Sequence, residues 1–163
     1  MWAKTKLLIH DDLLRPLPET TIELGNVDVE KLYKEIPKLA MSVFKLSEDQ
    51  IQEKEFKWQK GEATKIKVKW ELDKDLDKFS YYWIEIKMSG SVSKSAGNIK
   101  ITISPALRTE YPQDTWWHRS LFYEILRMFW HTVFYTSKRD QYKKEGRRLV
   151  ILFIDKIKEF SRR

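Results

Sequence analysis

Between residues 51 and 104 apolar and polar positions alternate. In KIKVKWELD, Ile66, Val68, Trp70 and Leu72 alternate with Lys65, Lys67, Lys69 and Glu71, which predicts a strand with one face on a core and the other in water. YYWIEIKMSG repeats the pattern through Tyr82, Ile84, Ile86 and Met88, NIKITIS through Ile99, Ile101 and Ile103, and EFKWQ places Phe56 and Trp58 on one face. Lys60-Gly61 and the polar connectors DKDLDK and SKSAGN supply turns, so the four strands read as an antiparallel meander. Residues 1–25 add two short extended pieces, around Lys4 to Ile9 and at TTIEL, separated by the loop HDDLLRPLPE with its two prolines.

On either side of the meander the period changes to 3.6. From Asp28, a residue suited to an N-cap, Val29, Leu32, Tyr33, Ile36, Ala40 and Val43 recur at three- and four-residue steps and predict a helix over 28–45. Pro37 inside it is expected to kink or divide it. PALRTEYPQDTWW ends the strand pattern, Asp114 suits an N-cap, and residues 114–161 read as helical. A single helix of that length would reach about 70 Å, too long for a domain with a radius of gyration of about 15 Å, so a break is expected. TSKRDQY offers one, with Ser137 and Asp140 at capping-box spacing. The last helix carries one apolar stripe from Tyr142 through Gly146, Val150, Phe153 and Ile157 to Phe160, with a basic face beside it. Gly146 in that stripe either lets a neighbouring backbone come close or weakens the helix.

The expected class is therefore α+β: a curved antiparallel meander packed against a long aromatic C-terminal helix, with a kinked N-terminal helix and an additional basic helix at the end. The aromatic part is WWHRSLFYEILRMFWHTVFY, Trp116 to Tyr135, in which thirteen of twenty side chains are large and apolar or aromatic. On a helical wheel Arg127, Ser120, His131 and Glu124 gather in an arc of about 60° and almost everything else is apolar. A helix apolar nearly all round is an enclosed one, so it should lie across the sheet and meet a second surface on its far side: a helix, a subunit or a ligand cavity. Glu124, Arg127 and His131 share the polar arc. They form either a salt-bridged string on a solvated strip or the polar end of a cavity, orienting a ligand head while Trp117, Met128 and Tyr135 hold its apolar body.

Composition narrows the field. A chain of 163 residues is the size of one ordinary domain, 1–163. Without cysteine it has no disulfide, thiolate zinc site or cysteine nucleophile, and it begins without a secretory signal, which together suggest the cytoplasm. The charges inside Trp116 to Tyr135 make it a poor transmembrane helix. The formal charge is +7, and residues 136–163 alone carry an excess of six positive charges. Lys143, Lys144, Arg147 and Arg148 in that tail form either a solvated face or a contact for nucleic acid or an anionic membrane surface. Abundant Lys and Glu with few Asn and Gln is a composition often seen in thermophiles.

Motifs for chemistry are sparse. His10 with Asp11 and Asp12 falls in a loop, and no two of His10, His118 and His131 have the spacing of a helical metal pair, so no metal site or cofactor is expected. There is no phosphate-binding loop, nucleophile elbow or dinucleotide glycine fingerprint. Tyr81 and Trp83 lie on the sheet face opposite Ile84 and Ile86, where aromatics either stack on bases or pack within the protein.

This order of elements, a strand, a helix, an antiparallel meander and a long aromatic helix, resembles the helix-grip superfamily of START and Bet v 1-like domains. The resemblance implies a cavity between sheet and C-terminal helix for a lipid, sterol or other hydrophobic molecule. Carried over, Trp117, Leu121, Met128 and Tyr135 would face that cavity, with Trp70, Ile84 and Ile86 opposite. The leading expectation is a non-enzymatic protein that binds a small hydrophobic or amphipathic molecule there. The alternative is an interaction or homodimeric module whose basic last helix touches nucleic acid. An enzyme using Glu124 and His131 comes third.

Overall fold

A computed structural model describes residues 6–61, 64–93, 96–112 and 121–162. It is α+β, with six antiparallel strands in one open sheet: β1 (Lys6–Asp12), β2 (Thr20–Asp28), β3 (Ile51–Gln59), β4 (Thr64–Asp75), β5 (Ser80–Ser93) and β6 (Ala96–Pro112). Strands β3 to β6 form the expected meander, in the order β6-β5-β4-β3. On its other edge β6 is paired twice. β2 covers its first half, Thr20 opposite Ile103, and β1 its second half, Asp12 opposite Ala106. Residues 6–28 thus make one interrupted edge, with Leu13 turned into the core and its amide bonded to Pro105 O at 3.1 Å.

His10, Asp11 and Asp12 belong to β1 rather than to a loop. PALRTEYP does not end the sheet but continues β6, because residues 106–112 find a partner in β1. Pro105 is tolerated in the strand because it faces the gap between β1 and β2, where no ladder bond is asked of its nitrogen.

Helix α1 (Val29–Phe44) starts at Asp28, whose side chain accepts from the Lys31 amide at 3.1 Å, and runs as one helix through Pro37 rather than dividing there. At the other end of the chain α2 (Leu121–Trp130), a π-helical turn (His131–Tyr135) and α3 (Thr136–Ser161) follow one another without a gap, about 60 Å in all. The break expected at TSKRDQY is absent: Ser137 lies inside helix and caps nothing. The length objection fails because α3 packs along the core, while α2 reaches past it with no buried residue and meets the domain through Arg127 against the Tyr111 ring at the end of β6.

The core lies between the sheet and α1 with α3. Val68, Met88, Ile101 and Ile103 from the strands meet Ile36, Phe44, Val150 and Phe153 from the helices, and the Phe44 and Phe153 rings stand 5.6 Å apart. The opposite sheet face is ionic. Glu85 bridges Lys69 and Lys87, and Glu55 bridges Lys57 and Lys67. Trp83 lies under the Arg108 guanidinium at 3.9 Å and the Tyr81 hydroxyl donates to Glu110 at 2.7 Å, so both aromatics are engaged within the protein.

Candidate functional site

The unusual feature of the molecule is an arm, residues 121–134. Its half-buried positions are Tyr123, Glu124, Arg127 and His131, and the same stripe continues into buried Tyr135. Three of them, Glu124, Arg127 and His131, are polar residues of the wheel, and this is the side turned to the protein. The large apolar side chains face away, nine of them from Leu121 (77% exposed) and Met128 (67%) to Val133 and Phe134. The arm is amphipathic in reverse: the helix period is the ordinary one, and the face that a soluble helix gives to water is the one it gives to its own sheet end.

What holds the polar stripe is specific. The Tyr111 hydroxyl, at the end of β6, meets His131 Nδ1 at 2.9 Å, and the two rings pack edge on. Arg127 lies 5.9 Å from the Tyr111 ring and donates to Glu124 at 3.3 Å, while its Nη1 is buried without a hydrogen-bond partner among the described residues. Burial lowers the pKa of His131, and the Arg139 and Arg127 cations lower it further against the opposing pull of Asp11. These effects favour the neutral ring, whose Nδ1 shares the hydrogen bond with the Tyr111 hydroxyl as acceptor or donor according to its tautomer.

One turn further on, the helix is fixed by a buried polar hub. Arg139, only 3% exposed, donates to Asp11 on β1 and Thr109 on β6. Thr109 shares a 2.7 Å hydrogen bond with Ser80, and Ser80 one of 2.8 Å with the Tyr135 hydroxyl. Tyr135 donates on to Asp77, which also accepts from Tyr142 at 3.0 Å, from the amides of Phe79 and Ser80, and from Lys138. Burial alone would raise the Asp77 pKa, but these donors outweigh it and hold the carboxyl at about 2. Burial and the bond to Asp77 push Tyr135 the other way, well above the ordinary phenol range. The hub is an anchor with its donors and acceptors matched, which is what a buried charged pair requires.

The structure separates the residues expected around a ligand. Trp70, Ile84 and Ile86 are buried in the packed core, Trp70 with its ring against Tyr33 of α1 at 5.6 Å. Leu121 and Met128 stand on the outer face of the arm, Tyr135 is in the hub, and Trp117 lies outside the described residues, as do Asp114 and His118. Of the polar string, Glu124 and Arg127 do pair, and His131 turns to Tyr111. An open cleft of about 490 Å³ near Gly25, Gly90 and Asn98 contains none of these residues. The sequence pattern did not reveal Asp77, Ser80, Thr109 or Arg139; the signal available was one long cation, Arg139, within a helix stripe beside Tyr142.

In the basic tail, Lys144, Arg147 and Arg148 are exposed on α3, whereas Lys143 is half-buried and bridges Asp140 at 2.6 Å. Among the described residues no three His, Asp or Glu side chains cluster to hold a metal, and no described helix is long and apolar enough to cross a membrane. The chain matches no family model and none of the curated proteins.

Proposed function

We propose that this protein is a non-enzymatic interaction module that works through the outward apolar face of its arm. The observation that carries this reading is the reversal of the arm, with Glu124, Arg127 and His131 turned to the sheet end and Phe122, Leu126, Phe129 and Val133 turned outward. Contiguous apolar surface on that scale marks an interaction site rather than a solvated helix. The sheet order and the long C-terminal helix are compatible with a helix-grip arrangement. Retention of a small molecule between them has less support, because Trp70, Ile84 and Ile86 fill that space and Leu121 and Met128 point away from it.

The absence of cysteine makes the test simple. In a Met128→Cys variant the new thiol is unique, and its alkylation rate in intact cells reports whether anything covers the arm. Slowing of about tenfold or more relative to the unfolded chain is expected, since a docked face excludes reagent and water. An alkylation rate in cells equal to that of the unfolded chain would remove the proposal.

A further inference from the structure

We infer that the occupant of the arm is a second copy of this chain, the two arms packing antiparallel about a two-fold axis. This rests on reading the arm as a docking surface. Area is the first argument. Nine large side chains, each at least half exposed, present on the order of 800–1,000 Å² at roughly 150–250 Å² for a full aromatic. That exceeds the roughly 300–600 Å² of the largest patch on an ordinary monomer and matches the roughly 800 Å² each partner gives to a stable interface.

The chemistry of the patch is the second. A surface that meets its own copy must be compatible with itself, and like charges facing each other across the axis would oppose pairing. The arm has two charged residues among 121–134, Glu124 and Arg127, and they offset each other in an i,i+3 ion pair outside the apolar face. With the axis near Met128, antiparallel overlap sets Phe122 against Phe134 of the second copy and Leu126 against its Trp130, apolar against apolar at both positions. The apolar arc is wider than the roughly 100° stripe one helix covers. The partner therefore supplies more than a lone helix, and a second copy brings a folded domain with its arm.

The cations on the same rod argue against an anionic lipid surface as the occupant. Arg139 is spent on Asp11, Lys138 on Asp77 and Lys143 on Asp140, and exposed Glu145 stands among Lys144, Arg147 and Arg148. A lipid-binding helix carries its free cations beside its apolar face; among the described residues of this rod they begin two to three turns beyond it.

Sedimentation of the purified full chain tests the assignment. At about 100 µM the protein is expected to run at twice the chain mass, and Leu126→Glu with Phe129→Glu to weaken association by about thirtyfold or more, the loss that buried anchors carry. Both substitutions are on the outer face, so the variant should keep its circular dichroism and cooperative melting. Independently, the Met128→Cys thiol near the axis should form an intermolecular disulfide under mild oxidation, and a Lys144→Cys thiol should not. A monomer whose Met128→Cys thiol fails to cross-link overturns the second copy. If vesicles of phosphatidylcholine with one third phosphatidylglycerol then protect that thiol, the occupant is a lipid surface. Protection in cells alone makes it another protein. Both of those results retain the docking reading, whereas no protection anywhere ends both proposals.

Discussion

A methyl group added at Gly146 would sit 2.7 Å from Tyr82 Cε1 and 2.9 Å from Leu13 Cδ1. Tyr82 cannot yield easily, because its hydroxyl donates to Tyr142 O at 2.6 Å. Gly146→Ala should therefore lose about 1–2 kcal/mol, overpacking outweighing the roughly 1 kcal/mol that alanine returns in helix propensity, as read from the denaturant midpoint. From the sequence Gly146 reads as either a close approach of a neighbouring backbone or a weak point in the helix; what comes close is a pair of side chains. Asp77 was illegible by comparison: it stands in a polar turn, and its hydroxyl partners Tyr135 and Tyr142 come 58 and 65 residues later. Since its folded pKa of about 2 lies below the unfolded value, its stabilisation is present above about pH 4 and lost as pH falls towards 2. Asp77→Asn should cost about 1–2 kcal/mol at pH 7 and flatten stability across that acid window, a comparison that urea titrations at about pH 7 and 2.5 would make.

Strands with strict alternation were legible because their period is also their burial pattern, and β4 and β5 carry it almost residue for residue. Periodicity misjudged the C-terminal rod for a physical reason: a wheel shows which residues share a face but not whether that face meets protein or solvent. Nor does it show the π turn, where the Thr136 amide bonds His131 O and lets the polar stripe of the arm run on into the buried stripe of α3. His131 in that turn sets a pH dependence. Its folded pKa is depressed, so between that value and about 6.5 the unfolded chain binds more protons. Stability should thus fall as pH drops below about 6.5, and His131→Gln should remove that part of the fall, measurable as the difference in melting temperature between about pH 7.5 and 5.5 for the two proteins.

At the scale of the whole molecule, association through the arm couples assembly to stability. The melting temperature of the wild type is expected to rise with protein concentration, and that of the Leu126→Glu, Phe129→Glu variant to stay constant, because only a species that binds the folded form shifts the equilibrium by mass action. A concentration-independent wild type would contradict this. The divided edge of β6 has its own consequence, in the order of events during synthesis. Leu7 and Leu8 pair with Tyr111 and Glu110, and Asp11 receives Arg139, so β1 emerges about a hundred residues before the strand and helix that hold it. At roughly 5–20 residues per second on a ribosome, β1 waits several seconds unpaired, exposed to any chaperone or neighbouring nascent chain that reaches it first.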